Sequence, residues 1–464
     1  MKKRIVERML MAACVVCTLV VMTGCDELMA TLDNPVKSYL QVETSTVELF
    51  PGETVTRAGK SINTDAIQYE SSNPTVAIVD ATGKVTAIAP GVATIQVSVP
   101  QNEYYLGERA SYQVKVFKVM LQEKALIGVG DYETLDFDLQ SDEGAGVAVE
   151  WTSSDESVAT VNANGVVTAV ADGKATVTVK VASRQASCAV TVKTKTKLDN
   201  IGEDYTVQDG EVLTGFTDKP VKIAAGATVV MSNAWIYSPG NPVTCLGNAT
   251  IITAEGKYGG AEPSTSEGKA ALKVGPAGTT LTLKGKGSLY FYGKSVAAAI
   301  GTDAKGTCGN IVIESGYVAA KGGSFGVGIG AGDGGTCGDI TIHGGQVIAS
   351  SASYGAAIGC GDTWYGSTTC GNITITGGKV TATATSNAAG IGTGVSRVNK
   401  TNRCGDITIS GGTVVATKGV NATYDVGPGD NSTKDTEFMG TVGKVTVSVP
   451  VKDADGNDAT IYQP

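Results

Sequence analysis

One phrase recurs four times in this chain: CGNIVIESGYVAA from Cys308, CGDITIHGGQVIA from Cys337, CGNITITGGKVTA from Cys370 and CGDITISGGTVVA from Cys404. A set of columns surrounds it. An Ile-Gly pair begins at Ile300, Ile329, Ile358 and Ile391, with Val426 as a weaker fifth copy. The apolar pairs Ile311/Ile313, Ile340/Ile342, Ile373/Ile375 and Ile407/Ile409 follow the cysteines, and Val318/Ala320, Val347/Ala349, Val380/Ala382 and Val414/Ala416 follow those. Cys to Val is 10 residues in every copy, and Val to the next Ile-Gly is 11, 11, 11 and 12. Only Ile-Gly to Cys stretches, through 8, 8, 12 and 13 residues. Each unit offers three short strands that cannot stand as a sheet alone. Stacking the units pairs each strand with its own copy and buries the Ile, Val and Ala columns in one continuous core. The spacing therefore predicts a right-handed parallel β-helix over 198–464 with rungs of 29–35 residues and one elastic corner. Residues 279–293 read as an earlier rung, 221–256 as one or two degenerate rungs, and 198–220 and the end of the chain as caps, the latter a hairpin turning at Asp455-Gly456.

The cysteines recur because the rung recurs, about 4.8 Å apart at ordinary strand spacing. Two readings stand: a ladder of buried free thiols, or bridges such as Cys308–Cys337 and Cys370–Cys404. In-register side chains point in parallel, which does not favour a disulfide dihedral near 90°. Free thiols are the expectation. Zinc is not expected, because this part of the sequence has no CxxC pair and offers the cysteines no histidine partner.

Upstream, SSNPTVAIVDATGKVTAIAPGVATIQV (71–97) and SSDESVATVNANGVVTAVADGKATVTV (153–179) are two copies of one module, with Gly83 and Gly165, and Gly91 and Gly173, in equivalent places. Both alternate apolar and polar residues between turn glycines, the period of half-buried strands. Each predicts a small β-sandwich, over 38–118 and 119–193. The pattern resembles the bacterial Ig-like group 2 domain, which implies stalks or spacers on a surface protein. The fold class is thus all-β: two tandem Ig-like sandwiches followed by the β-helix. Cys188 and Trp151 are expected in the second core.

The chain opens MKKRIVERMLMAACVVCTLVVMTGC. A basic start, an apolar stretch too short to span a bilayer, and Met22-Thr23-Gly24-Cys25 resemble a bacterial lipoprotein signal over 1–24. The resemblance implies lipid on Cys25, a tether over 25–37 and an envelope location anchored to the outer membrane and exposed at the surface. Removing 1–24 takes away Lys2, Lys3, Arg4, Arg8 and Glu7, which moves the net charge from −9 to −12. With no basic run to track phosphates, nucleic acid is not an expected partner.

Few residues carry chemistry. The one histidine, His343, shares an outward column with Glu314, Thr376 and Ser410, and has no nucleophile set for triad catalysis. Asp303, Asp333, Asp362 and Asp430 follow the Ile-Gly column; they read as turn-making residues, with a calcium row as the metal alternative and paired catalytic carboxylates as the third. No other cofactor is expected. Asn310, Asp339, Asn372 and Asp406 read as turn structure with stacked side-chain hydrogen bonds. The elastic corner is different. Its third copy holds Trp364 and Tyr365, and its fourth holds Arg397, Lys400 and Arg403. Exposed rings beside cations suit a sugar platform; the bland alternative is a loop folding its rings onto its own rung. The repeat resembles the GIG…ITIxGGxVxA β-helix of bacterial surface proteins and, more distantly, β-helix families that bind acidic polysaccharide with calcium. These resemblances imply an adhesion or glycan-binding protein whose partner is an extracellular glycan or a host or cell-surface protein, and which meets the membrane only through its anchor. They transfer no catalytic residues, so no enzyme activity is expected. A polysaccharide lyase or glycoside hydrolase, and a purely structural surface protein, are the alternatives.

Overall fold

The structure is a computed structural model and describes residues 35–63, 65–140, 148–181, 184–203, 205–430 and 439–463. The signal segment, Cys25 and most of the tether lie outside the described residues. The chain forms two compact units, Met1–Met120 with Phe137–Ala148, and Leu121–Asp136 with Val149–Pro464. Both are built from strands; the described residues hold one short 3-10 turn at Leu198–Asn200.

In the first unit a four-stranded sheet runs in the order Val47–Leu49, Glu108–Val116, Gly91–Val99, Gln68–Ser71. A three-stranded sheet, Thr54–Thr56, Lys84–Ala87, Ala77–Val79, supplies the other layer. Alternation along the strands turns Ala93, Ile95, Val97, Val114 and Val85 into one shared core. The second unit opens with the same sandwich, from Lys124–Gly128, Arg184–Lys193, Gly173–Val181 and Val149–Ser153 against Tyr132–Thr134, Val166–Ala169 and Ala159–Val161. Cys188 is in its core, where burial pushes the thiol up to about 11, and Trp151 packs half-buried against it. Gly165 (φ +73°) closes the hairpin beneath that indole, where a Cβ would come within 2.7 Å of the ring.

This second sandwich is fixed to the coil that follows. Asp131 is fully buried and accepts Lys195 Nζ at 2.6 Å and Ser232 Oγ at 2.7 Å, with Lys257 Nζ at 3.5 Å. Glu255 accepts the N–H and hydroxyl of Thr134 at 2.6 and 3.0 Å, and Lys286 pairs with Asp136 at 2.7 Å. Leu126 packs with Val212, Val230, Ala254 and Ile252 beside them. Removing one partner would leave a buried charge unpaired, which is costly, so these contacts tie the second sandwich to the first turns of the coil.

The coil is a parallel β-helix. Ile311, Ile340, Ile373 and Ile407 pair in register, as do Val318, Val347, Val380 and Val414, and Ile300, Ile329, Ile358, Ile391 and Val426. Two sequence expectations change. The rung carries a fourth strand at the cysteine: Thr336–Cys337, Thr368–Cys370, Asn402–Cys404 and Thr441–Val442 form their own sheet. And the expected caps are themselves coil. Lys195–Lys197 pairs parallel with Val212–Thr217, and Thr206–Val207 with Val221–Ile223, so winding begins before the recognisable repeat. At the other end Val445–Val447 and Val451–Lys452 add a rung; the hairpin at Gly456 is present as a small antiparallel bridge, Lys452 to Asp458.

Two close approaches explain the repeated words. In the Ile-Gly column, a Cβ on Gly301, Gly330, Gly359 or Gly392 would sit 1.8, 2.1, 2.0 or 1.9 Å from the carbonyl oxygen of the next rung's glycine. Only hydrogen fits there. After each cysteine, the Asn or Asp side chain reaches one rung along: Asn310 Oδ1 accepts the Asp339 N–H at 2.9 Å, Asp339 that of Asn372 at 2.7 Å, Asn372 that of Asp406 at 2.9 Å, and Asp406 that of Lys444 at 2.8 Å. The ladder binds backbone rather than neighbouring side chains, and the intervening Gly338, Gly371 and Gly405 leave it room. The cysteines are free and buried; Cys308 and Cys337 Sγ atoms lie 3.0 Å apart, and burial, with Cys370 alongside, pushes the Cys360 thiol well above its usual range.

Gly359→Ala should therefore cost about 2–4 kcal/mol, combining backbone overlap with a positive φ. Gly226→Ala shares a positive φ (+82°) but has open space around its Cβ, and should cost only about 1 kcal/mol. Thermal melts of the two variants check this; equal losses would remove the close-approach argument.

Candidate functional site

The elastic corner runs from the Ile-Gly strand to the cysteine strand, and buried polar groups hold its loops. Thr368 Oγ1 donates to Asp362 O at 2.7 Å and accepts the Gly334 N–H at 2.8 Å. Thr363 Oγ1 accepts the Arg397 N–H at 2.7 Å, and Asn402 Nδ2 donates to Gly361 O and Val395 O at 2.8 and 3.1 Å. Three of these bonds, Gly334 to Thr368, Arg397 to Thr363 and Asn402 to Gly361, cross between rungs, so each loop is shaped by its neighbour.

On this frame sits a ring cluster. Trp364 and Tyr365 are 57% and 50% exposed. Phe325 and Tyr354, one rung apart, stack at 5.3 Å and 12° between planes, and Phe325 meets Trp364 at 6.2 Å. The Arg397 guanidinium lies 5.0 Å from the Trp364 ring centre and 5.1 Å from that of Tyr354. Lys305 covers Tyr365 at 5.3 Å, and Lys400 Nζ donates to the Trp364 carbonyl. Arg397, Lys400, Trp364 and Tyr365 are thus brought together. Arg403 is not: it lies exposed in the outer strand Asn402–Cys404 and makes no ion pair or ring contact among the described residues. Phe325 and Tyr354 were missed by sequence reasoning, although each stands four residues before its Ile-Gly pair, a shared column readable from the alignment.

The aspartate row does not behave as one set. Asp303 accepts Asn241 Nδ2, the Ala270 N–H and Lys273 Nζ at 2.5, 3.0 and 2.9 Å, and Asp430 accepts the Thr423 N–H at 3.1 Å. Asp362, fully buried, forms a forked pair with Arg397, with Nε at 3.0 Å. Burial pushes its carboxyl up and the guanidinium pulls it back; the forked geometry marks an ionised pair. Arg397's charge is therefore committed within the protein. Asp333 is also fully buried. Its Oδ1 accepts the Tyr365 N–H at 2.8 Å, while Oδ2 has no hydrogen-bond partner. Burial, joined by the Asp362 charge and opposed by the Tyr365 N–H and Lys400, pushes its carboxyl up to about 7. Among the described residues no group of three or more His, Cys, Asp or Glu side chains is arranged to hold a metal ion. His343 is exposed, with Nδ1 2.9 Å from Thr376 Oγ1.

The model of the bacterial Ig-like domain (group 2) matches residues 40–103 and 129–192, one match for each sandwich. The chain carries two such domains followed by the β-helix. A search of curated proteins gives no match. Among solved structures, the S-layer protein rSbsC is similar at 23% identity over 30% of this chain and 23% of its own, with a TM-score of 0.15. Drosophila N-cadherin EC1-4 is similar at 14% identity over 34% of this chain and 50% of its own, at 0.17. The insect immune protein hemolin is similar at 14% identity over 35% and 49%, at 0.23. The chain thus spans less than a quarter of the first S-layer structure. The two Ig-like domains are consistent with a surface or adhesion role. Among the described residues no helix is long and apolar enough to cross a membrane.

The raised Asp333 carboxyl has a definite sign. Its folded-state value, about 7 against an ordinary 3.8, favours the folded state fully below about pH 4, and this contribution is lost as pH rises through about 7 at no more than about 1.4 kcal/mol per unit. Asp333→Asn should remove that slope: relative to wild type it should gain stability between pH 5 and pH 8. Melts at both pH values check it, and a constant difference would place the Asp333 carboxyl in its ordinary range.

Proposed function

We propose that this is a cell-surface lipoprotein that binds glycans through the elastic corner of its β-helix and acts in adhesion. One observation carries the reading: Trp364 and Tyr365 stand exposed over a frame of buried hydrogen bonds, with Phe325, Tyr354 and Arg397 packed behind Trp364. Function tends to sit on loops held by a rigid scaffold, and a fixed aromatic face stacks on a sugar with little further loss of freedom. Because Asp362 neutralises Arg397, the corner offers stacking and N–H or hydroxyl contacts more than a free cation, with Lys400 and Lys305 as its remaining positive groups. Binding is favoured over glycoside hydrolysis because Asp333 and Asp362, the neighbouring carboxylates, are both sealed from solvent, whereas a hydrolase needs its pair open to the glycosidic oxygen. The two Ig-like domains fit presentation at a surface, and Cys25 is the anchor in this reading.

Trp364→Ala should weaken glycan binding by about 1–3 kcal/mol, by analogy with aromatic stacking on bases. Wild type and variant on an array of host and plant glycans, with melting temperatures alongside, provide the test. Equal binding removes the corner from the account; loss of binding with collapse of the fold makes Trp364 a packing residue. For the anchor, Cys25→Ser should shift the protein from the membrane fraction to the soluble one. A variant that stays membrane-bound, processed like wild type, would refute lipidation at this residue.

A further inference from the structure

A second ring surface lies away from the corner, on the outer face of the early strands Ala227–Ser238, Tyr258–Pro263, Ser288–Tyr292 and Tyr317–Lys321. Trp235 and Tyr237 project from one rung, Tyr258 from the next, Tyr290 and Tyr292 from the third, and Tyr317 from the fourth. The pairing makes the arrangement periodic. Trp235 aligns with Gly260 and then Tyr290, so rings alternate with a glycine; Tyr258 aligns with Ser288 and then Tyr317. Tyr237 aligns with Glu262, and Tyr292 stands two residues beyond Tyr290 on the same face. Trp235 and Tyr290, and Tyr258 and Tyr317, are therefore two rungs apart, roughly 9.6 Å at the usual ladder spacing, while the exposed Phe216 pairs with Trp235 one rung earlier and extends that column. The Trp235 indole occupies the space over Gly260, where a Cβ would meet the ring at 2.6 Å, and reaches Tyr292 at 6.1 Å between centres; Tyr290 and Tyr317 are 5.6 Å apart. These contacts fix the rings in place. Tyr258 and Tyr237 remain 48% and 38% exposed.

We infer that this wall is a second saccharide site, for an extended neutral β-1,4-linked polysaccharide lying along the coil axis. Its chemistry selects that occupant. Tyrosine and tryptophan present apolar faces with polar edges, which suits sugars better than an aliphatic partner surface would. The nearest charges cancel: Lys294 pairs with Glu262 at 3.1 Å while covering the Tyr237 ring at 5.4 Å, leaving Lys321 at one rim. A β-1,4-linked chain turns each sugar over relative to the last, so like faces recur every second residue, and the two-rung spacing of Trp235 to Tyr290 and Tyr258 to Tyr317 meets that repeat. An array of rings fixed on strands loses little freedom on binding. The wall uses no residue of the corner and stands independently of it.

The test is affinity gel electrophoresis of the full mature chain through hydroxyethylcellulose and galactomannan, with the β-1,3-glucan laminarin and soluble starch as comparators. Wild type should be retarded by the β-1,4-linked polymers. Tyr258→Ala and Trp235→Ala should each bind about tenfold more weakly, Tyr258→Phe should bind as wild type, and Trp364→Ala should keep its retardation. Tyr258 and Tyr237 lie outside the core, so Tyr258→Ala and Tyr237→Ala keep the test valid should Trp235→Ala fail to fold. No retardation by any polymer, or retardation unchanged in Tyr258→Ala and Tyr237→Ala, overturns the proposal. Loss only in Trp364→Ala would assign the binding to the corner and leave the wall without a role. Sedimentation showing a dimer that the wall variants abolish would make a second copy the occupant, and overturns it as well.

Discussion

The regular turns of the coil, from Gly301 onward, rest on one backbone approach. In the Ile-Gly column the carbonyl of each rung's glycine comes within about 2 Å of where a Cβ would stand on the glycine before it, a space that only hydrogen can share. That contact sets how tightly the chain turns between the Ile-Gly strand and the corner. It brings the Ile, Val and Ala columns into register and aligns the Asn and Asp side chains with the next rung's N–H groups. Hydrophobic burial supplies most of the driving force and rules out one-residue slips, which would turn the apolar columns outward, but it does not by itself exclude slips of two residues. The glycines and the side-chain-to-backbone ladder decide which rung meets which.

The regular part of the coil was legible because its signals are local and periodic: two-residue alternation at Ile311/Ile313 and its copies, and an unvarying ten residues from Cys to Val. The first turns were not. Thr206–Val207 and Val221–Ile223 are partners, yet they lie closer together in the chain than one full repeat and carry neither the cysteine nor the Gly-Gly pair. Their pairing is a consequence of stacking on later rungs. The fourth strand was hidden for a related reason. Two or three residues around each cysteine are too few to show a period, and they become a strand only through their vertical neighbours.

At the corner, sequence could nominate Trp364, Tyr365, Arg397 and Lys400 from length variation and residue type. It could not show that Arg397 is neutralised, because Asp362 is 35 residues away and is brought near only by the winding. Nor could it separate Asp333 from the other aspartates of its column. All four follow an Ile-Gly or Val-Gly pair, but Asp303 meets lysine, Asp362 meets arginine, Asp430 meets a threonine, and Asp333 keeps one oxygen without a partner. A column in a solenoid shares backbone geometry. It does not share electrostatics, which are set by whatever the adjoining loops carry.

The separation between a strictly spaced frame and one stretchable interval also bears on heredity. A crossover between the coding segments of two cysteine positions removes or adds a whole number of turns and returns the reading to the same column, so the product keeps its columns in register. Insertions between Ile-Gly and Cys lengthen a loop without moving a strand. Such a gene can change the length of its coil and the content of its corner as separate events.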